Sequence, residues 1–209
     1  SLTIGYQNIF SPSIQKIKQI KLSNRLGRLL SAKTYALWPR PESYYRRNGW
    51  AGKIRYDDKL IYDSPLQNAA SHFLQNMLYI AGNSHHESAI PAAVYGECYK
   101  AKNIESADTQ YIRVTTADDI RLAFTVTHAC STQEHPYTEY RFEHGLIRWF
   151  FEGRTEVFSK PPADDIAGAA NTAGATGTAG VTEAATPSPP SRKRENVDLV
   201  EQFDNGGVE

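Results

Sequence analysis

Between Ser64 and Gly82 the sequence sets Asn68, His72, Gln75, Asn76 and Tyr79 at three- and four-residue steps, with no Lys, Arg, Asp or Glu among them. On a helix these residues share one stripe of amides, a phenol and an imidazole, all able to make hydrogen bonds. A stripe facing bulk water is ordinarily built from Lys and Glu, which favour helix and stay solvated. The composition points to a half-buried wall that hydrogen-bonds a ligand or, in the plainer reading, packs on a loop or a second domain.

A second group is Tyr44-Tyr45-Arg46-Arg47-Asn48-Gly49-Trp50. Aromatic rings and guanidinium groups side by side can stack on flat ligands, and the guanidinium fork can grip a carboxylate or phosphate. The same residues could instead pin a loop to its domain while Arg46 and Arg47 face solvent or a neighbouring subunit. A third group, Asn83-Ser84-His85-His86-Glu87, imitates a set of metal ligands. Consecutive side chains diverge and no fourth ligand is evident, so no metal is assigned.

The elements that must carry these groups follow from hydrophobic period and punctuation. Leu2–Gln7 reads as a short strand, and Ser11-Pro12 opens a helix whose apolar face is Ile14, Ile17 and Ile20, with Lys16, Lys18 and Lys21 on the wet side and Gly27 as its stop. Residues 28–38 read as a strand ended by Pro39 and Pro41, followed by a polar loop to Asp63. Ser64 as N-cap, Pro65 at the first position, Gln67 completing a capping box and Gly82 as a left-handed stop delimit a single helix over 64–82. Its core face is Leu66, Ala69, Ala70, Phe73, Met77 and Ile80.

From Ile90 on the pattern is strand: 92–101, 110–116, 120–130, 139–143 and 146–157, with tight turns at Asp118-Asp119 and His144-Gly145, giving an antiparallel meander. Tyr111, Arg113 and Thr115 alternate with Ile112 and Val114, so one face packs under helices and the other could be covered by a second copy of the chain. The fold class is α+β: a mostly antiparallel open sheet with helices on one face and a disordered C-terminal tail. Residues 1–160 form the domain, 161–191 an Ala/Gly/Thr/Pro linker that cannot offset its ordering entropy, and 192–209 a charged tail with a possible short helix over 196–203. Within the linker, Gly174-Ala175-Thr176-Gly177-Thr178-Ala179-Gly180 mimics a phosphate loop without the strand and helix that such a loop needs.

The 209 residues carry 23 Lys plus Arg and 23 Asp plus Glu, so no global field draws in nucleic acid or an anionic membrane. No apolar run reaches the roughly 18 residues of a membrane span, and no signal peptide opens the chain, so a soluble cytoplasmic setting is expected. Cys98 and Cys130 fall in strand-like runs without metal spacing and read as reduced core thiols, with a single disulfide as the alternative. The sole methionine is Met77 and the chain starts directly on a strand-like run, which suggests that a natural upstream part is missing.

The order of these features resembles the C-terminal domain of Gfo/Idh/MocA oxidoreductases, the group of glucose-fructose oxidoreductase and inositol dehydrogenase. The features are the strand, the Ser-Pro-capped helix, the strand ending in Leu37-Trp38-Pro39-Arg40, the Tyr45–Trp50 loop, the His72 helix and the antiparallel sheet. The resemblance covers about residues 1–158. It implies a two-domain enzyme in which an N-terminal Rossmann domain, absent from this chain, holds NAD or NADP, while this domain closes the site over a sugar or polyol and builds a homo-oligomer through its sheet. It also places His72 where the family keeps its active-site histidine, a base able to take a hydroxyl proton near neutral pH. Asn68 falls where many members carry aspartate, and an amide cannot stabilise imidazolium by charge. Beside the resemblance, the residues themselves offer Asn68 and Asn76 as hydrogen-bond partners of a hydroxyl or of the imidazole, and Arg46, Arg47 and Trp50 as substrate-loop contacts. No Gly-rich dinucleotide fingerprint occurs in the sequence. Two rivals stand beside this reading: a non-catalytic carbohydrate-binding or oligomerisation module, and an RNA-binding domain that would use the Tyr-Tyr-Arg-Arg loop.

Overall fold

The computed structural model of the chain describes residues 4–159 and 198–204. The linker expected over 161–191 and the basic cluster Arg192-Lys193-Arg194 lie outside the described residues. The elements are α1 (Pro12–Leu22), β1 (Leu29–Leu37), the one-turn α2 (Glu42–Tyr45), the small ribbon β2 (Arg55–Tyr56) and β3 (Lys59–Leu60), α3 (Ser71–Ala81), β4 (Pro91–Tyr99), β5 (Thr109–Thr116), β6 (Arg121–Thr127), β7 (Glu134–Phe142), β8 (Gly145–Phe150), β9 (Arg154–Ser159) and β10 (Asp198–Asp204).

Period-two alternation builds the main sheet. Gln110, Ile112, Val114 and Thr116 of β5, Leu122, Phe124 and Val126 of β6, and Thr138, Tyr140 and Phe142 of β7 are buried, while their neighbours are half-buried or exposed. The apolar members join Ile14, Ile17 and Ile20 of α1 and Phe73, Met77 and Ile80 of α3 in one core. The result is a sheet-dominated α+β fold of eight strands in the order β10-β9-β8-β7-β1-β6-β5-β4. Hairpins β4–β5–β6 and β7–β8–β9 are antiparallel as anticipated, but β1 is inserted between them, parallel to β6 and antiparallel to β7. The expected meander is therefore two meanders joined through β1.

Several local expectations are corrected. Residues 4–6 are irregular and Gln7–Phe10 form a 3-10 turn, so no strand forms over 4–7. The run 146–157 splits into β8 and β9 at Phe151-Glu152-Gly153, where Gly153 adopts φ 133. The tail segment read as a helix is strand β10, antiparallel to β9. Pairing on an open sheet edge outweighs local propensity there. Glu201 on β10 pairs with Lys16 and with Arg25 at 2.9 Å, and the Lys16 ammonium lies 4.2 Å from the Phe203 ring, fastening β10 to α1. Cys98 is exposed and Cys130 half-buried, so these free thiols are not core residues.

The predicted helix 64–82 begins six residues late, with Ala70 rather than Ser64 at its N-cap. Pro65–Gln67 make a 3-10 turn, Asn68 breaks the path at φ −124, ψ −140, and α3 runs from Ser71 to Ala81. The reason is tertiary: Leu66 N donates to Gln110 Oε1 on β5 (3.0 Å) and Asn68 Nδ2 to Asp63 Oδ1 (3.0 Å), docking the segment onto the sheet and the preceding loop. Gly82 is extended (φ −64, ψ 157) rather than left-handed. Its role is close approach, because a Cβ there would overlap the Glu87 carbonyl.

Lys18 overturns the reading of a wet lysine face on α1, since it is 0 % exposed. Its Nζ donates to the carbonyls of Tyr79, Gly82 (2.7 Å) and Glu87 (3.2 Å). A cation on the last carbonyls of α3 is where the helix dipole favours one. Burial pushes its pKa down to about 8, so the carbonyls face an ammonium at pH 7. Replacing Lys18→Met should cost about 2–4 kcal/mol in denaturant unfolding, because carbonyls are left unpaired. The native pKa lies below the unfolded value of 10.5, so between pH 8 and 10.5 the unfolded chain binds more protons at this site. The stability advantage of wild type over Lys18→Met should accordingly grow as pH rises through that window and shrink as pH falls through about 8.

Candidate functional site

The end of β1 positions the aromatic and arginine loop. Trp38 N donates to Thr127 O (2.9 Å) and Arg40 N to His128 O (3.1 Å), so the ladder with β6 continues past Leu37 before Pro41 starts α2. From this anchor a stack alternates rings and cations. Arg40 Cζ lies 5.6 Å from the Trp38 ring and 5.0 Å from Tyr44, and Arg47 Cζ lies 3.6 Å from Tyr44 and 5.1 Å from Trp50. Each contact is worth about 0.5–2 kcal/mol, more where water is excluded. Arg47 Nη1 also donates to Tyr44 O (2.8 Å); Arg46 and Arg47 are both exposed. Asn48 Oδ1 accepts from Trp50 N (3.1 Å) and Ala51 N (2.8 Å), closing the turn that presents the Trp50 ring, itself 36 % exposed.

Asp63 ties this loop to the approach of α3. It is buried, its Oδ2 accepts from Gly52 N (2.8 Å), its Oδ1 accepts from Asn68, and Arg47 Nη2 stands 4.0 Å away. Beneath it, Tyr45 Oη and His128 Nδ1 are 3.4 Å apart. Burial, helped by the Arg40 charge, pushes the His128 pKa down to about 4, and burial with the Asp108 carboxylate pushes Tyr45 up to about 12. Both are neutral at pH 7. Asp108 is fully buried and accepts from Ala101 N (2.9 Å), Lys102 N (2.7 Å) and the Thr109 hydroxyl (3.0 Å). The crevice between Tyr44, Tyr45, Asp63, Asn68 and His128 has no room for a water molecule, so this cluster is a packed scaffold for the loop. The sequence offers Tyr45 only as part of the aromatic and arginine loop, Asp63 only as the end of that loop and His128 only as a residue of the expected strand 120–130, which in the structure ends at Thr127.

On α3 the picture differs. His72 is half-buried, its ring lies edge-on to Tyr6 at 5.3 Å, and its Nδ1 is buried without a partner. Burial holds its pKa below the ordinary 6.5. Asn76, one turn on, is 0 % exposed with both amide atoms unpartnered. The structure thus brings Arg47, Trp50 and Asn68 into one network through Tyr44 and Asp63. His72 and Asn76 stand together on α3 and outside that network. Asn68, read as a helical neighbour of His72, is off the helix with its amide committed to Asp63.

No helix among the described residues is long and apolar enough to cross a membrane. No protein-family model and no curated protein sequence matches the chain. Solved structures do. The WlbA dehydrogenase from Bordetella pertussis, in complex with NADH and UDP-GlcNAcA, matches at 23% identity over 68% of this chain and 40% of its own, with TM-score 0.57. Its counterpart from Chromobacterium violaceum, with the same ligands, matches at 23% identity over 77% and 45%, TM-score 0.60. Levoglucosan dehydrogenase, in complex with NADH and L-sorbose, matches at 13% identity over 78% and 44%, TM-score 0.61. The chain spans less than half the length of each of these proteins. Its sheet and helices share the fold of the matching part of these dehydrogenases.

Proposed function

We propose that the chain is the substrate and assembly domain of an NAD(P)-dependent oxidoreductase acting on a hydroxyl or carbonyl of a sugar or polyol, working beside a dinucleotide-binding domain. One observation carries this reading: His72 and Asn76, one turn apart on α3, both present buried polar atoms without partners. Unpaired buried polar groups are costly and call for a reason. A ligand hydroxyl between imidazole and amide supplies one. The complexes of the WlbA and levoglucosan dehydrogenases with NADH support the cofactor class.

The described residues contain no strand–Gly-rich turn–helix cradle for a pyrophosphate, so a nucleotide would be held mainly outside this chain. A bound nicotinamide would supply the hydride acceptor or donor. This chain's part is the proton. With its pKa below 6.5, His72 is neutral at neutral pH and free to accept the proton of the substrate hydroxyl during oxidation, then return it in the reverse direction. Asn76 would hold the substrate hydroxyl or orient the ring. Arg46, Arg47 and Trp50 would contact the rest of the substrate, and Asn68 would act through the loop.

On the sheet, Tyr35, Tyr137 and Phe150 stack at centroid spacings of 5.8 and 6.0 Å beside Glu139 and Arg148. We read this face, opposite α1 and α3, as the surface on which a second copy packs. The free thiols Cys98 and Cys130 fit a reducing cytoplasmic setting.

A non-catalytic carbohydrate-binding module is the second reading, favoured by Asn68, whose amide serves Asp63 and brings no carboxylate to His72. The two separate in one assay on the chain together with a dinucleotide-binding domain, following nicotinamide absorbance over a sugar and polyol panel. Sugar binding that ignores NAD(H), without turnover, would establish the module. For the enzyme, His72→Asn should lower kcat about 10²- to 10⁴-fold with nucleotide affinity unchanged. Wild-type kcat/KM should fall as pH drops through a pKa below 6.5, the direction expected of a base that must be neutral. NMR titration of the imidazoles should place His72 below 6.5 and His128 near 4.

A further inference from the structure

A cleft of about 420 Å³ opens between the outermost strand β4 and the segments 62–67 and 105–107. Its size lies in the range of small-molecule sites. Three features set it apart from ordinary surface relief.

Ser64, expected to cap a helix, caps nothing. It is 7 % exposed and its Oγ is buried without a hydrogen-bond partner, although it lines both this cleft and the crevice beside Asn68. Turning about one torsion would present that hydroxyl to the cleft. Tyr62, on the wall, is held at φ 50, a left-handed conformation that a bulky residue adopts only when its surroundings impose it, and its ring remains 48 % exposed. Gln110 is 6 % exposed, and its amide is fixed by Leu66 N on one side and by Cys98 Sγ at 3.5 Å on the other.

The remaining chemistry is neutral. Tyr99 faces the cleft with Tyr62, Gln67 adds an amide, and Glu105 is paired with Lys53 at 2.9 Å, which leaves Lys100 as the uncompensated charge at the mouth. Aromatic faces, amides and hydroxyls with little net charge suit a ring or chain bearing many hydroxyls: its C–H faces lie on tyrosine while its O–H groups exchange hydrogen bonds.

We infer that this cleft is a binding site for the ring or chain of a sugar or polyol, with Ser64 as hydrogen-bond partner to a ligand hydroxyl and Tyr62 and Tyr99 as its stacking walls. The ligand class rests on the reading given under Proposed function. The location does not.

Cys98 lines the cleft and reports on it, with Cys130 as an internal reference in the same chain. The 209-residue protein is alkylated with iodoacetamide, and both thiols are followed by mass spectrometry in D-glucose, sorbitol or sodium phosphate. D-glucose or sorbitol should slow Cys98 saturably, about tenfold at roughly ten times Kd, while phosphate does not and Cys130 keeps its rate. Ser64→Ala should raise the protecting concentration about three- to tenfold with an unchanged or higher Tm, since it removes an unpaired hydroxyl. A Cys98 rate indifferent to both polyhydroxylated compounds, or protection identical in Ser64→Ala, overturns the assignment. The dehydrogenase reading fails separately: protection without hydride transfer in the presence of a dinucleotide-binding domain leaves the cleft standing, and hydride transfer without protection removes the cleft.

Discussion

Strand β1 is the constraint on which the rest depends. It hydrogen-bonds on both sides to partners far along the chain, residues 121–127 in parallel and 134–142 in antiparallel register. Neither hairpin unit can complete the sheet without it, and the loop closures involved are long, so the core assembles from non-local contacts. Because the ladder runs on through Trp38 and Arg40, the ring–cation stack is referenced to the middle of the sheet rather than to its rim. The stack in turn fixes Arg47 and Trp50, and Asp63 fixes the start of the segment that becomes α3. A displacement in β1 would be felt at each of these residues.

The second organising element is a cation. Lys18 joins the middle of α1 to the end of α3 and to the turn after it, with Gln15 adding a hydrogen bond to the Tyr79 hydroxyl at 2.9 Å and Lys21 a bond to Gly82 O at 2.9 Å. These contacts set the axial position of α3 and therefore how far His72, at its other end, projects. In a helix pair otherwise joined through Ile14, Ile17, Met77 and Ile80, apolar packing supplies adhesion and the directional bonds supply register.

Where burial period and punctuation agree, the sequence is readable. Alternation in β5 and β6, the Ser11-Pro12 start of α1 and the strand of residues 28–38 fall where pattern places them, and Ser11 Oγ accepts from Ile14 N at 3.4 Å. What the sequence hides is mostly decided by partners remote in the chain. Lys18 has the spacing of a solvated residue, and only three carbonyls sixty or more residues away show it to be buried. Ser64-Pro65-Leu66-Gln67 has every local mark of a helix start, yet Gln110 takes the Leu66 N–H and Asp63 takes the Asn68 amide, so the turn closes early. The stripe that holds His72 and Asn76 is legible in the sequence as an absence of charge. The link between Tyr45, His128 and Asp63 is not legible there, since it forms only when the fold brings the three together.

The two flanks of the sheet differ in a way that bears on association. The outer strand β10 carries Glu201, whose carboxylate is paired with Lys16 and Arg25, and Asp204. At the other flank β4 exposes Val94, Tyr95 and Tyr99, and the hydroxyls of Tyr99 and Tyr95 donate to the Glu97 carboxylate and favour its ionised form. β4 is thus the rim whose large apolar and aromatic side chains stand free toward a neighbouring strand, the kind of edge that folded chains otherwise blunt or cover.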